Sequence, residues 1–293
     1  MMASICKHSN DALIICDNDC GTIECSVCQT EFHYREAVMI LGHNPSCGFY
    51  DFGAMINNPI EIQITEDPDT LSIEEDGDVF VDRDRGAFIV FEGLDKSGKT
   101  TQSARLAENL RLLDIPHKLI KFPNRESVTG QIIDNYLKNQ GNCRFTDKEI
   151  HELFAKNRWD MKEQIYNWLH TGTTVIVDRY AYSGVAYSVA KGLDVEWTKL
   201  ADEGLYAPDL VIFMNITPEM AQKRIGFGEE RFEKTEFQHK VMKAYNEFQH
   251  YHYWKVFDST ESVELLEMKI KDTVLNKIED VFEHVPYILK LWN

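Results

Sequence analysis

The sequence predicts an α/β protein: a doubly wound, five-stranded parallel sheet, preceded by a small β module. Two observations predict the sheet. Apolar runs of strand length alternate with amphipathic stretches from Ala87 onward, and a glycine-rich turn directly follows the first run. A third observation separates the small module, because six of the seven cysteines lie within the first 47 residues. Ligands of such a sheet bind beyond the carboxyl ends of its strands, so the residues after each strand are the candidates for chemistry.

The elements follow from hydrophobic periodicity. Strands are predicted at residues 87–91, 119–122, 174–177, 210–214 and 255–257. Helices are predicted from Thr100 onward and at residues 147–169, 218–226 and 262–282. Strands that alternate with helices pair in parallel, because each connection must return to the same edge of the sheet.

The turn after the first strand has the spacing of a phosphate-binding P-loop. Gly93, Gly98, Lys99 and Thr100 stand at the motif positions, between an apolar strand and an amphipathic helix. In that context the first N–H groups of the helix face an anion, Lys99 reaches the outer phosphates, and the Thr100 hydroxyl binds magnesium. The motif predicts a nucleoside triphosphate ligand without specifying the reaction.

Charged residues also follow three later strands, the first of them Arg125 after the strand at 119–122. Asp178 and Arg179 come after the strand at 174–177, and Asp178 is placed to hold a magnesium-bound water. A helix N-cap is the alternative role for Asp178. Residues 223–231, the lid segment, follow a later strand and carry basic side chains. The segment is predicted to be a mobile lid over transferring phosphates or, alternatively, a solvent-exposed charged turn.

One predicted helix carries an aromatic and a basic residue on the same face. Phe154 and Arg158 are four positions apart, hence one turn apart. A ring that stacks on a base, beside a guanidinium that donates to its carbonyl, suits a nucleotide pocket. A core contact and a solvated charge are the alternative interpretation.

Composition narrows the classes of function. The chain has 48 acidic and 31 basic residues and a formal net charge of −17, so its field repels polyanions, which argues against nucleic acid as a ligand. It has no apolar run of about 20 residues, and residues 1–10 lack the layout of a signal peptide. These features predict a protein of the cytoplasm, with the nucleus as an alternative, and no membrane partner.

Composition also predicts three parts along the chain. Residues 1–57 form the cysteine-rich module, residues 58–85 an acidic linker or an extra hairpin, and residues 86–293 the α/β domain. The boundary between the cysteine-rich module and the α/β domain is marked by prolines at positions 59 and 68 and by a run of acidic residues.

The cysteine-rich module has the layout of a small zinc ribbon. Cys6 and His8 precede a predicted hairpin and Cys25 and Cys28 follow it, so three thiolates and one imidazole could close a tetrahedral zinc site. The alternatives are burial without metal, replacement of one pair by Cys16 and Cys20, or a separate site that includes His33, His43 and Cys47. The module is predicted to dock a protein partner or to steady a dimer.

Taken together, the ordered motifs resemble those of thymidylate kinases, which transfer the terminal phosphate of ATP to dTMP. The resemblance runs from about residue 87 to residue 292. It rests on residues 91–96, 122–125, 153–154, 157–159, 178–187, 208–210 and 227–233. A basic residue inside the P-loop, Lys96, resembles the eukaryotic and poxviral subgroup. Three positions depart from the family pattern: Lys96 itself, where arginine is more usual, Phe232, which replaces a tyrosine, and Tyr206, which stands where a proline is common.

The resemblance implies roles for the acceptor side. Asp95 would accept the sugar 3′-hydroxyl, and Arg125 and Arg179 would hold the acceptor monophosphate. Phe154 would stack on thymine and Arg158 would donate to it. The other implied acceptor-side residues are Phe122, Ser183, Phe232, Gln238 and Tyr187, whose ring would exclude a ribose 2′-hydroxyl.

The resemblance likewise implies a donor side. Lys96, Lys99 and Arg224 would neutralise charge on the transferred phosphoryl group, with Asp95, Asp178 and Arg179 completing the catalytic set. The implied ATP-binding residues are Gly93, Gly98, Lys99, Thr100, Thr101, Arg224 and Asp258, and magnesium would bind through Thr100 and, by way of water, Asp178. A homodimer through the kinase domain is also implied.

Two other functions stay open at this point. One is a kinase of the same fold with a broader range of deoxynucleotide acceptors, or with a nucleoside as acceptor. The other is an NTP-binding interaction protein that works through the zinc module. A GTPase is disfavoured because the sequence has no Asn-Lys-x-Asp signature.

Overall fold

The computed structural model describes residues 85–138, 145–285 and 287–292, together with the backbone of three short strands near the N-terminus. The chain divides into two units, residues 1–78 and residues 79–293. In the first unit, β1 (Leu13–Ile15), β2 (Thr22–Cys25) and β3 (Glu31–His33) form an antiparallel sheet in that order. The predicted boundaries at residues 57 and 85 stay predictions.

The predicted zinc ligands fall largely outside this description. Cys6, His8 and Cys28 lie outside the described residues, and Cys25 is described only as the last backbone position of β2. The zinc site is therefore a prediction that the structure leaves untested.

The second unit contains the predicted five-stranded parallel sheet, which is thereby confirmed. Its strands, in the spatial order β5-β6-β4-β7-β8, are β4 (Phe88–Gly93), β5 (His117–Lys121), β6 (Thr174–Asp178), β7 (Leu210–Asn215) and β8 (Trp254–Asp258). The central strand β4 pairs in parallel with β6 on one side and β7 on the other. The loop after β4 consequently opens where the order of the strands reverses, which is the ligand crevice of an open α/β sheet.

Helices follow the strands along the chain. They are α1 (Lys99–Leu112), α2 (Val128–Lys138), α3 (Asp147–Trp159), α4 (Lys162–His170), α5 (Ala181–Ala190), α6 (Val195–Leu200), α7 (Pro218–Gln222), α8 (Thr235–Tyr245) and α9 (Val263–His284). Among the described residues, none of these helices is long and apolar enough to cross a membrane.

The sheet is covered on both faces because its central strands are apolar at successive positions. Phe88 and Val90 belong to one buried cluster, whereas Ile89 and Phe91 belong to a second cluster. Successive side chains of a strand point to opposite faces, so the two clusters lie on opposite sides of the sheet. All six residues of β4 are buried, as expected for a parallel strand between two helical layers.

Two helix predictions require correction. The helix predicted at 147–169 is two helices, because the chain turns at Asp160, whose carboxylate accepts a hydrogen bond from the Thr129 hydroxyl of α2 at 3.1 Å. The helix predicted at 218–226 ends at Gln222, and Gly226 has φ +78°. A right-handed helix cannot continue through Gly226, because its φ lies in the left-handed region.

Four helices, α2, α5, α6 and α8, were not among those predicted. In α5 most side chains are buried, including the small residues Ala181, Ser183 and Ala186. A helix that is buried nearly all round has no polar face, so it lacks the amphipathic pattern by which helices are recognised in a sequence.

Candidate active site

The P-loop connects β4 to α1, and a glycine shapes each end. Gly93 has φ +140°, and a Cβ placed there would lie 2.6 Å from the Met214 carbonyl oxygen of β7. Gly98 has φ +102° and is the N-cap residue of α1. Because Gly98 has no side chain to accept from them, the first N–H groups of α1 remain available to an anion.

Lys99, the first residue of α1, folds back over the P-loop. Its Nζ donates to the carbonyl oxygens of Gly93 at 3.1 Å and Leu94 at 2.5 Å, and to Ser97 Oγ at 3.2 Å. Burial, reinforced by the nearby Arg179 guanidinium, lowers the pKa of the Lys99 ammonium to about 7. A bound triphosphate would raise that pKa, since opposite charge favours the charged form.

Thr100 and Asp178 form the predicted magnesium side of the loop. The Thr100 hydroxyl donates to Asp178 Oδ2 at 2.5 Å, whereas Asp178 Oδ1 is buried with no hydrogen-bond partner among the described residues. Burial raises the pKa of Asp178, but the ammonium groups of Lys121 and Lys99 outweigh it, so the net shift is downward. An ionised carboxylate with one open oxygen, beside a hydroxyl, fits a magnesium ion that keeps most of its waters.

Arg179 links the end of β6 to Asp95 of the P-loop, and through Asp95 to Tyr187 and Gln238. Its Nη2 donates to Asp95 Oδ1, while Asp95 Oδ2 accepts from the Tyr187 hydroxyl at 2.8 Å and from Gln238 Nε2 at 2.9 Å. Burial raises the pKa of Asp95, but Arg179 and Lys99 outweigh this and lower it overall. Four predicted acceptor-side residues therefore form one hydrogen-bonded group.

Arg179 has two further contacts. Its Nη1 donates to the Gly93 carbonyl oxygen at 3.1 Å and to Ser183 Oγ at 3.2 Å. The residue has φ +70°, a conformation uncommon outside glycine. This conformation lets the consecutive residues Asp178 and Arg179 contact Thr100 on one side and Asp95 on the other.

Glu92 of β4 binds the backbone that follows Arg179, although Glu92 was not among the predicted site residues. Its fully buried carboxylate accepts from the backbone N–H groups of Tyr180 at 2.9 Å and Ser183 at 3.0 Å. The Tyr245 hydroxyl also donates to it at 2.9 Å. The pKa of Glu92 is raised overall, because the effect of burial outweighs the hydrogen bond from Ser183 and the charge of Arg179, which both lower it. A charged residue inside an apolar strand was the available signal in the sequence.

Arg125 lies after β5 and is paired with two carboxylates. Its Nη1 donates to Asp134 Oδ1 of α2 and its Nη2 to Glu230 Oε1 of the lid segment, both at 2.6 Å. An acceptor phosphate that binds Arg125 would therefore compete with a residue of the lid segment.

Four predicted acceptor-side residues occupy three environments. Phe154 and Phe232 pack against one small cluster, which consists of Ile133, Tyr136, Leu137 and Ile150. Arg158 is buried and makes a two-point ion pair with Asp202. Phe122 lies in the main core, with its ring 5.9 Å from that of Tyr180.

The lid segment lies against the P-loop. Arg224 donates from Nη1 to the Lys96 carbonyl oxygen at 2.7 Å and from Nη2 to the Ser259 carbonyl oxygen at 2.5 Å. Lys96 Nζ is 3.3 Å from Glu233 Oε1, and Glu233 Oε2 accepts backbone N–H groups from residues 228, 229 and 230. The lid segment is thus held by specific contacts at Arg224 and at the backbone of residues 228–230, and its mobility stays a prediction.

Two predicted ATP-binding residues, Asp258 and Thr101, share no hydrogen bond or ion pair with the hydrogen-bonded group around Arg179 and Asp95 among the described residues. Asp258 accepts from the backbone N–H and hydroxyl of Thr260, which organises its own loop after β8. Its neighbour Ser259 supplies the carbonyl oxygen that meets Arg224. Thr101 is an exposed residue in the first turn of α1.

Three further charged residues of the site were not predicted. Lys121 ends β5 with its Nζ 3.4 Å from Asp178 Oδ2, and its position at a strand end was a usable signal. Asp134 and Asp202 had no such signal, since their partners are set by tertiary packing.

A P-loop beside an arginine cluster, at the carboxyl edge of a doubly wound sheet, defines a nucleotide-binding phosphotransferase of the P-loop class. The family model described as thymidylate kinase matches residues 91–270. The chain belongs to the thymidylate kinase family.

Individual relatives agree with this assignment. The thymidylate kinase of Arabidopsis thaliana is 46% identical over 209 residues, which cover 71% of this chain and 78% of the relative. That of Schizosaccharomyces pombe is 48% identical over 167 residues, or 57% of this chain and 79% of the relative. Among solved structures, thymidylate kinase from Candida albicans matches with a TM-score of 0.61 at 33% identity, over 66% of this chain and 92% of that one.

Proposed function

We propose that this chain transfers the γ-phosphoryl group of magnesium-bound ATP to dTMP, giving dTDP and ADP. One observation carries the proposal beyond family membership. Consecutive residues at the end of β6 bring the predicted donor and acceptor groups together at the P-loop, Asp178 through Thr100 and Arg179 through Asp95. Direct phosphoryl transfer requires donor and acceptor sites this close, because the reacting oxygen and phosphorus must lie in line.

The donor side would bind ATP through the P-loop. The N–H groups at the start of α1 would contact the phosphates, and Lys99 would exchange its carbonyl contacts for phosphate oxygens. Magnesium, held by Thr100 and through water by Asp178, would neutralise charge on the β- and γ-phosphates. Arg224, already against the P-loop, would add positive charge on the lid side.

The acceptor side would bind dTMP through its arginines. Arg125 and Arg179 would hold the monophosphate, and Asp95 would accept the sugar 3′-hydroxyl. The Tyr187 hydroxyl is bound to Asp95, so its ring would be fixed against the 2′ position and would exclude a ribose. No general base is required, because a phosphate monoester with a second pKa near 6 is already a dianion at pH 7.

A coupled assay of ADP release tests the proposal. With ATP and magnesium, the acceptors dTMP, dUMP, dGMP and thymidine are compared for the wild type and Arg125→Ala. We expect dTMP to be the best acceptor and the variant to lose about 10²-fold or more in kcat/KM. Arg111→Ala is the matched control, because this exposed arginine pairs with Glu108 on α1 and with no other carboxylate of the described residues. Absence of turnover with every acceptor contradicts the proposal.

We also propose that the N-terminal unit binds zinc through Cys6, His8, Cys25 and Cys28. Support comes from the spacing of these residues and from the hairpin of β1 and β2, which begins after the first pair and ends at Cys25. Elemental analysis of the full chain should give about one zinc, and Cys25→Ser with Cys28→Ser should remove it. Cys143→Ser, outside the cysteine-rich module, is the control. Equal zinc content in all three proteins excludes these ligands.

A homodimer through the kinase domain is proposed on the family resemblance, together with a protein partner for the N-terminal unit and a cytoplasmic or nuclear location. Leu200 of α6 is 63% exposed and Trp159 of α3 is 37% exposed, so apolar surface is available to a second copy. Light scattering on the full chain should give twice the monomer mass, and Leu200→Glu should shift it toward the monomer. A monomer mass for the wild type contradicts the dimer.

A further inference from the structure

The environment of Arg158 is more constrained than a base-binding role would require. Its Nε donates to Asp202 Oδ1 at 2.7 Å and its Nη2 to Asp202 Oδ2 at 2.6 Å. The side chains of Arg158 and Asp202 are only 2% and 0% exposed. A buried ion pair is weak evidence for stability, since its desolvation cost offsets the attraction, whereas its two-point geometry fixes orientation strongly.

Gly184 of α5 constrains the guanidinium from another side. A Cβ at this position would lie 2.7 Å from Arg158 Nη2 and 3.1 Å from its Cζ. Contacts below 3.0 Å are not tolerated, so any other residue here would displace the guanidinium. We call Asp202 and Gly184 the Arg158 clamp.

The clamp leaves one nitrogen for a ligand. Nε and Nη2 are bound to Asp202, and none of the described residues accepts a hydrogen bond from Nη1. Phe154, one helical turn earlier on the same face of α3, provides the ring beside which a base would stack. Because a guanidinium only donates, Nη1 pairs with a carbonyl oxygen and not with an amino group.

We propose that Asp202 is a positioning residue that, with Gly184, holds Arg158 Nη1 toward the base and makes the acceptor site select a 4-carbonyl pyrimidine over a 4-amino pyrimidine. This inference rests on the proposed function. Thymine presents an acceptor at C4, whereas cytosine presents an amino group that leaves the Arg158 donor unpaired in a buried position. A guanidinium free to turn would lose part of this discrimination.

Competition between dTMP and dCMP tests the clamp. With both acceptors at equal concentration in one reaction, the ratio of dTDP to dCDP formed equals the ratio of the two kcat/KM values and does not depend on the fraction of folded enzyme. We expect Asp202→Asn to lower that ratio by about tenfold, with the KM for ATP unchanged. Gly184→Ala, which alters no charge, should lower it in the same direction. Glu203→Gln, an exposed neighbour, is the matched control.

A double variant shows whether Asp202 acts through Arg158. In the Arg158→Met background, Asp202→Asn should change the ratio by less than about twofold, since there is no guanidinium left to orient. An unchanged ratio in both Asp202→Asn and Gly184→Ala overturns the inference and leaves a purely structural ion pair.

Equilibrium binding separates this outcome from failure of the proposed function. Titration of dTMP and dCMP into the full chain needs no turnover, so a wild type without kinase activity still reports the preference. A preference for dTMP that falls in Asp202→Asn upholds the clamp even then. Equal binding of the two nucleotides by the wild type refutes it.

Discussion

The two sides of the cleft hold their cations differently. On the donor side, Lys99 and Arg224 contact neutral carbonyl oxygens of the P-loop and of the loop after β8. On the acceptor side, each arginine contacts a carboxylate: Arg125 with Asp134 and Glu230, Arg158 with Asp202, and Arg179 with Asp95. Two lysines on the donor side are exceptions, since Lys96 lies 3.3 Å from Glu233 Oε1 and Lys121 lies 3.4 Å from Asp178 Oδ2.

This difference suits the two nucleotides. A triphosphate with magnesium meets, in Lys99 and Arg224, two cations that no carboxylate of the described residues contacts directly, so the electrostatic attraction of these two groups is strong and unselective. An acceptor must displace or share carboxylates, so its binding depends on correct geometry as well as on charge. We therefore expect the donor side to favour tight binding of the triphosphate and the acceptor side to favour selection among acceptor nucleotides.

The largest expected effect tests the donor side. Lys99→Met should lower kcat by about 10³-fold while the Kd for dTMP stays unchanged, because it removes the ammonium nearest the outer phosphates. Single-turnover kinetics and dTMP titration measure the two quantities. Lys240→Met, on the exposed face of α8, should leave both unchanged. A loss in kcat of less than about tenfold would contradict the role given to Lys99 on the donor side.

An intermediate effect is expected with pH. Lys99 has a pKa of about 7 in the nucleotide-free protein, so above pH 7 it must gain a proton when ATP binds. Affinity for magnesium-ATP should therefore fall as pH rises, by roughly tenfold between pH 7 and pH 8.5. Affinity for dTMP should change little over the same interval, since arginines stay protonated. Calorimetry in buffers of different ionisation enthalpy measures proton uptake; equal pH profiles for the two nucleotides would contradict the assignment.

The smallest effect concerns the lid segment. Glu230→Gln removes the charge that Arg125 Nη2 contacts, so the KM for dTMP should fall by about threefold with the KM for ATP unchanged. Steady-state kinetics with each substrate varied in turn measures both values. Glu229→Gln, the exposed neighbour, should have no effect on the KM for dTMP. A rise in that KM would show that Glu230 supports Arg125 and does not compete with the substrate.

Strand-end reasoning predicted much of the site. It placed Asp178 near the P-loop, and the structure brings that carboxylate to the Thr100 hydroxyl. Helical spacing likewise placed Phe154 and Arg158 on one face of α3. Neither pattern could predict Asp202, because it lies 44 positions from Arg158 on a loop without periodicity.

The sequence by itself determined the parallel sheet, the P-loop and the rows of charged residues after its strands, because each of these depends on neighbours within a few positions. Only the tertiary structure decided which carboxylate meets which arginine. Arg125 and Glu230 are 105 positions apart, and Arg179 and Asp95 are 84 positions apart. Ion pairs of that separation are set by how helices and loops pack over the sheet, and no local pattern of residues encodes that packing.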